Sequence, residues 1–164
     1  MIGVGVIGYG YWGPNILRNF VEAINCSVLK LADLSQAPLA RAQSRYPGLP
    51  VTTDPRDIFT DSKIDAVAIM TPVDTHFDLA MQALSSNKHV LLAKPMTSNA
   101  DQGRLLVEEA AKRLRSLISS SPNWRVLQQF LPAGLQSPMD VRSATASHFV
   151  ASLELAREGV LKLR

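Results

Sequence analysis

Along the first 110 residues, short apolar runs alternate with stretches whose apolar residues return every three or four positions. These are the periodicities of buried strands and one-sided helices. Ile2–Ile7 alternates glycine with β-branched residues and then breaks into glycines, which predicts a buried strand running into a turn. From Asn15 to Ala23, Ile16, Leu17, Phe20 and Val21 fall at helical spacing behind Pro14, a residue suited to a first helical turn. Val28–Ala32 reads as a second strand, and Ala37–Tyr46 as a helix stopped by Pro47 and Gly48. Val51–Thr53 is a short third strand with a helical turn at Pro55–Phe59 behind it. Ala66–Met70 is a wholly apolar fourth strand, Thr75–Leu84 a helix, and Val90–Ala93 a fifth strand. A further helix starts near Ser98, where Ser98 and Asp101 have capping-box spacing. Five strands separated by helices, several of them apolar on both faces, predict a parallel sheet covered on both sides.

Beyond residue 110 the pattern changes. The last helix continues through Leu106, Ala110, Leu114 and Leu117 until SSSPNW at 119–124 breaks it. A short helix is expected from Trp124 to Leu131, a longer one from Asp140 to Arg157, and a terminal strand at Val160–Leu163. Charge marks the same seam: residues 1–110 hold 9 Lys and Arg against 11 Asp and Glu, whereas residues 111–164 hold 8 against 3. The net +3 is therefore a property of the last third. Its Arg125, Arg142 and Arg157 are scattered and lack interleaved aromatics, which argues against a nucleic-acid surface.

With 164 residues, 46% apolar and 19% charged, the chain has globular composition, which excludes disordered and collagen-like classes. A lone Cys26 cannot form an internal disulfide, so a cytoplasmic setting is expected. No apolar run reaches membrane-spanning length, and MIGVGVIG lacks the basic segment of a signal peptide. No Cys and His cluster has metal-ligand spacing, so no metal is expected.

The strongest chemical signal is Gly8-Tyr9-Gly10-Tyr11-Trp12-Gly13, a GxGxxG between a strand and a helix. Asp33 ends the second strand 20 residues after Gly13. A glycine turn that only joins strand to helix would carry the same three glycines, but not the acidic residue at this distance. Gly8 suits a tight turn, Gly10 lets a pyrophosphate approach the backbone, and Gly13 lets the helix pack closely. The helix N-terminus offers amide N–H groups to phosphate, and the Asp33 carboxylate accepts from a ribose hydroxyl. This points to a nicotinamide dinucleotide, NAD rather than NADP, because a carboxylate repels a 2′-phosphate and no Arg follows it directly.

GVIGYGYWGPN at 5–15, TPVDTH at 71–76 and AKPM at 93–96 resemble the Gfo/Idh/MocA oxidoreductases, particularly members acting on nucleotide-linked sugars. The resemblance covers residues 2–111. It implies an α/β, doubly wound, Rossmann-like parallel sheet of order 3-2-1-4-5, with the remaining residues as a helical appendage. It also places Thr71, Pro72, His76, Lys94 and Pro95 at the cofactor site, with Tyr11 and Trp12 flanking it and Lys94 as the catalytic acid or base. The chain departs from the family where Ala93 replaces a glutamate beside that lysine. Read only as residues, Lys94-Pro95 has the alternative of a solvent-facing strand end with a rigid turn and His76 that of a polar helix start; His89 reads as a structural histidine, and Tyr9, Tyr11 and Trp12 equally as a packed rim.

LRSLISSSPNW, FLPAGL and SATASHFVASLELAREGVLKLR in residues 113–164 resemble the C-terminal region of the segregation and condensation protein A family. That resemblance implies a truncated winged helix and contact with an SMC-like ATPase. Together the two resemblances imply a chimera with a seam at residues 110–115: a dinucleotide-binding domain at 1–111 and a helical segment at 112–164. The expected function is NAD binding without efficient turnover, because no substrate domain follows in the chain. The alternatives are a protein-interaction module acting through the tail, or an engineered chimera without physiological function. An open sheet edge beside Val90–Ala93 also predicts pairing, either with Val160–Leu163 or with a second copy as a homodimer.

Overall fold

The computed structural model describes residues 1–119. The expected helices at 124–131 and 140–157, the strand at 160–163 and nearly all of the winged-helix resemblance lie outside the described residues. The chain divides into two compact units, Met1–Lys112 and Arg113–Arg164.

Five parallel strands form one sheet: β1 (Ile2–Ile7), β2 (Cys26–Ala32), β3 (Val51–Thr52), β4 (Ala66–Ile69) and β5 (His89–Leu92). Their spatial order is β3-β2-β1-β4-β5, as the sequence implies. Between them run α1 (Gly13–Glu22), α2 (Gln36–Arg45), the single turn α3 (Arg56–Phe59) and α4 (His76–Ser85), which a 3-10 turn at Val73–Thr75 precedes; α5 (Ala100–Ser119) follows β5.

Alternate strand residues feed two cores, as the two-residue period of a strand requires. Val4, Val6, Leu31 and Ala68 pack with Leu17 of α1 and with Leu39 and Ala42 of α2. Ile7, Ala32, Val67 and Ile69 pack instead with Ile58 and Phe59 of α3, Ala80 and Ala83 of α4, and Leu106 of α5. From β1 the sheet grows one way through β2 and β3 and the other way through β4 and β5. Right-handed crossovers then put the helices of the two halves on opposite faces. The crevice between the halves opens beyond the C-terminal ends of β1 and β4, where Gly8 and Thr71 lie.

One expectation at a helix end changes. Helix α5 begins one register later than the capping box implied. Asn99 Oδ1 accepts from the Gln102 amide at 2.9 Å, while Ser98 Oγ sits on the Gln102 side chain and Asp101 pairs with Arg104. Asparagine is as good an N-cap as serine, so the side chain one position closer takes the role. The seam placed at residues 110–115 falls inside α5, where the two compact units also divide, between Lys112 and Arg113. β5 is an edge strand among the described residues, with Leu91 half exposed. No described helix is long and apolar enough to cross a membrane.

At the opposite end of the sheet, the buried Lys88 donates to the carbonyls of Asp61 and Ile64 at 2.7 and 2.8 Å. It closes the loop leading into β4. Lys88→Met removes the ammonium and leaves these carbonyls without that donor. The expected loss is about 2–3 kcal/mol of folding stability, measured by urea unfolding.

Candidate functional site

The glycine turn is built as its spacing requires. Gly8 has φ +95°, in the left-handed region, and its amide donates to Ala32 O at 2.8 Å. Gly13 opens α1 against this turn, and a Cβ there would lie closer than 3.0 Å to the Gly8 carbonyl oxygen. At Gly10, by contrast, a Cβ would meet nothing within 4 Å. The space over Gly10 is open to a ligand.

Helix α1 enters with Pro14 in its first turn, no acidic residue in that turn and no side-chain cap on its amides. Pro14 has no N–H, and the Asn15 and Ile16 amides share Trp12 O at 3.1 Å, so what the helix end presents is chiefly the partial positive charge of its dipole. This entrance, beside a Cβ-free backbone at Gly10, fits a pyrophosphate.

Asp33 follows β2 directly and is half-buried. Its Oδ2 accepts from the Tyr9 amide at 2.7 Å and its Oδ1 from the Ser35 amide at 2.9 Å, while its own amide donates to Thr52 O at 3.1 Å. The carboxylate is thus fixed between the glycine turn and the start of α2. Each oxygen keeps a further lone pair for a hydroxyl, which fits a ribose diol. Sequence reasoning missed these two amide partners, because Tyr9 and Ser35 act through backbone that carries no side-chain signature.

The aromatic residues separate. Tyr9 is buried in the core facing α1 and α2, and burial, followed by the neighbouring Tyr46, raises its phenol above the usual range. Tyr11 and Trp12 are 88% and 55% exposed and stack edge to face with centroids 5.4 Å apart. Leu34, beside Asp33, is also largely exposed. Apolar side chains thus stand on both sides of the glycine turn.

The second group lies beyond β4 and β5. Thr71 abuts the glycine turn: a Cβ on Gly8 would come within 3.0 Å of its Cγ2. Pro72 leads into the 3-10 turn, and Thr75 Oγ1 lies 2.7 Å from Thr71 Oγ1. His76, the first residue of α4, is 1% exposed. Its Nε2 lies 2.8 Å from Thr71 O and its Nδ1 3.0 Å from Pro95 O. Lys94 and Pro95 are exposed and joined by a cis peptide bond, and Ala93 continues the ladder with its amide on Ile69 O at 3.0 Å. His89 is exposed at the start of β5, at the far end of the strand from Lys94. Cys26 donates to Phe20 O at 3.1 Å, and burial pushes its thiol up, away from nucleophilic character. Among the described residues no group of three His, Cys, Asp or Glu side chains stands ready for a metal.

Because a Cβ at Gly10 would meet nothing within 4 Å, Gly10→Ala is expected to leave the melting temperature within about 2 °C of wild type. The added methyl occupies the space a pyrophosphate would take. Dinucleotide affinity should fall about tenfold or more by titration calorimetry, separating ligand approach from folding.

Residues 2–120 match the model of an oxidoreductase family with an NAD-binding Rossmann fold, Gfo/Idh/MocA. The uncharacterized oxidoreductase YdgJ of Escherichia coli K12 is 35% identical over 130 residues, covering 79% of this chain and 37% of the relative. The scyllo-inositol 2-dehydrogenase (NADP(+)) IolW of Bacillus subtilis 168 is 27% identical over 130 residues, covering 79% and 36%. Among solved structures, GenD2 from gentamicin A biosynthesis, in complex with NAD, superposes with a TM-score of 0.65 at 25% identity, over 68% of this chain and 32% of that one. The chain spans about a third of the length of these proteins.

Proposed function

This chain belongs to the Gfo/Idh/MocA oxidoreductase family, whose fold binds NAD, and on that premise we propose that residues 1–112 hold the dinucleotide across the crevice between β1 and β4. The single observation carrying this is the contrast within one turn. Gly13 and Gly8 are closed against each other, whereas Gly10 is open beside an uncapped helix N-terminus. The pyrophosphate rests there, and Asp33 takes the adenosine ribose. Its fixed negative charge favours NAD over a cofactor carrying a 2′-phosphate, although one relative is named for NADP(+).

With the adenosine half assigned to β2, the nicotinamide half lies over β4 and β5, beside Thr71, Pro72 and Lys94. When bound, NAD supplies a hydride acceptor. Lys94 is exposed there, and we assign it the transfer of the substrate hydroxyl's proton, taken on oxidation and returned in the reverse direction. Ala93 provides no carboxylate to orient that amine. The substrate class we infer is a secondary alcohol of a cyclic polyol or sugar, which the inositol dehydrogenase relative supports.

The test is calorimetric titration of NAD into the wild-type chain and into the Asp33→Ala, Gly10→Ala double variant. Saturable binding lost in the double variant is expected; a wild type that binds no NAD overturns the reading. A parallel assay for NADH formation with inositol decides turnover: a flat trace supports binding alone, and steady formation shows that this chain also holds the alcohol.

A further inference from the structure

Past the bond from the Ala93 amide to Ile69 O, the segments leaving β4 and β5 diverge, and one buried ring lies between them. His76 sets Nε2 2.8 Å from Thr71 O and Nδ1 3.0 Å from Pro95 O. A neutral imidazole donates to one such carbonyl and an imidazolium to both, so in either state a ring N–H is held by one of these two loops. With 1% exposure and a carbonyl oxygen against each nitrogen, this ring is closed off from substrate and cofactor.

The ring's two neighbours are nevertheless the ends of the site. Thr71 packs against Gly8 of the phosphate turn, and Pro95 is bonded to Lys94. His76 itself is set by α4, and its amide donates to Val73 O within the turn that leads there. The ring thereby connects the loop that abuts the glycine turn with the loop that carries Lys94.

We propose that His76 is a positioning residue. Its imidazole holds one of the two loops by a ring N–H, fills the space against the other, and so shapes the nicotinamide half of the crevice, leaving the adenosine half to Asp33. This rests on the cofactor reading above and goes beyond it by assigning the two halves of the site to different residues. A side chain that only held the fold together would affect both halves alike.

The test compares NADH with ADP-ribose, which lacks the nicotinamide, on the full chain and on its His76→Leu and His76→Gln variants. His76→Leu should bind NADH about tenfold more weakly while ADP-ribose affinity is unchanged. His76→Gln, which retains an N–H donor, should recover part of the loss. Equal losses for both ligands, or no loss for either, overturn the proposal while leaving the cofactor reading intact. So does a wild type that binds NADH no more tightly than ADP-ribose. A wild type that binds neither ligand overturns the cofactor reading, and this proposal falls with it. Should neither variant fold, the wild-type ring N–H resonance is followed by NMR. It should move when NADH is added and stay in place with ADP-ribose; no response to NADH overturns the proposal.

Discussion

Gly13→Ala is expected to destabilise the chain by about 3 kcal/mol and to abolish measurable NAD binding. The added methyl cannot be accommodated by rotating a side chain, because what it meets is backbone. Both the oxygen and the carbon of the Gly8 carbonyl would lie within about 3 Å of it. Gly8 is itself held on three sides: by its φ of +95°, by its amide bond to Ala32 O, and by Met70 and Thr71 against its Cα. Relief therefore requires α1 to back away from the sheet, which unpacks Leu17 from the core it shares with Val4, Val6 and Leu31. The same movement displaces the helix N-terminus that faces the pyrophosphate. Urea unfolding and NAD titration measure the two effects, and Gly10→Ala is the control for the unfolding measurement, since its methyl enters open space. A Gly13→Ala chain as stable as wild type would mean that the turn and helix are not packed as described.

Asp33→Ala should have the second largest effect, on both stability and ligand choice. Its carboxylate accepts two backbone amides, from Tyr9 and Ser35, and a hydrogen bond to a charged acceptor contributes about 1.5–3 kcal/mol. The Ser35 amide is exposed, so water replaces that part of the loss, whereas Tyr9 is buried, and a net destabilisation of about 2 kcal/mol is expected. NAD affinity should fall by roughly a hundredfold, with the ribose acceptor lost and the glycine turn loosened together. Any preference for NAD over NADP should disappear, because the repelling charge is gone. Asp33→Asn separates these contributions: its one carbonyl oxygen still accepts an amide, so stability should recover in part while discrimination against NADP stays low. Thermal unfolding and paired titrations with NAD and NADP read the outcome. Undiminished discrimination in both variants would remove Asp33 from the ribose site.

Much of this was legible in the chain. Periodicity located all five strands and five helical segments, because strand burial and helix amphipathicity are local, repeated signals. The boundaries moved by a residue or two where side-chain bonds compete. Asn99 displaced Ser98 at the start of α5, and β2 begins at Cys26, two residues before its apolar stretch, because backbone pairing with Ile2 and Gly3 does not depend on hydropathy. The family match extends to residue 120, past the 111 at which the resemblance stopped, while the two compact units divide between Lys112 and Arg113, within the seam that the tail resemblance implied.

By itself, then, the amino-acid sequence determined the order of the elements, the glycine turn and the acidic residue behind it. Each of these depends on neighbours within a few residues or on a spacing along one strand-turn-helix unit. Only the tertiary structure decided what the polar residues do. It turned Asp33 toward the amides of Tyr9 and Ser35, divided the aromatic cluster into the buried Tyr9 and the exposed Tyr11 and Trp12, and enclosed His76 between two carbonyls. Thr71 and Pro95 are 24 residues apart in the chain and meet on one imidazole because β4 and β5 lie side by side. No local pattern encodes such a meeting; it follows from parallel strands bringing their C-terminal loops to one edge of the sheet.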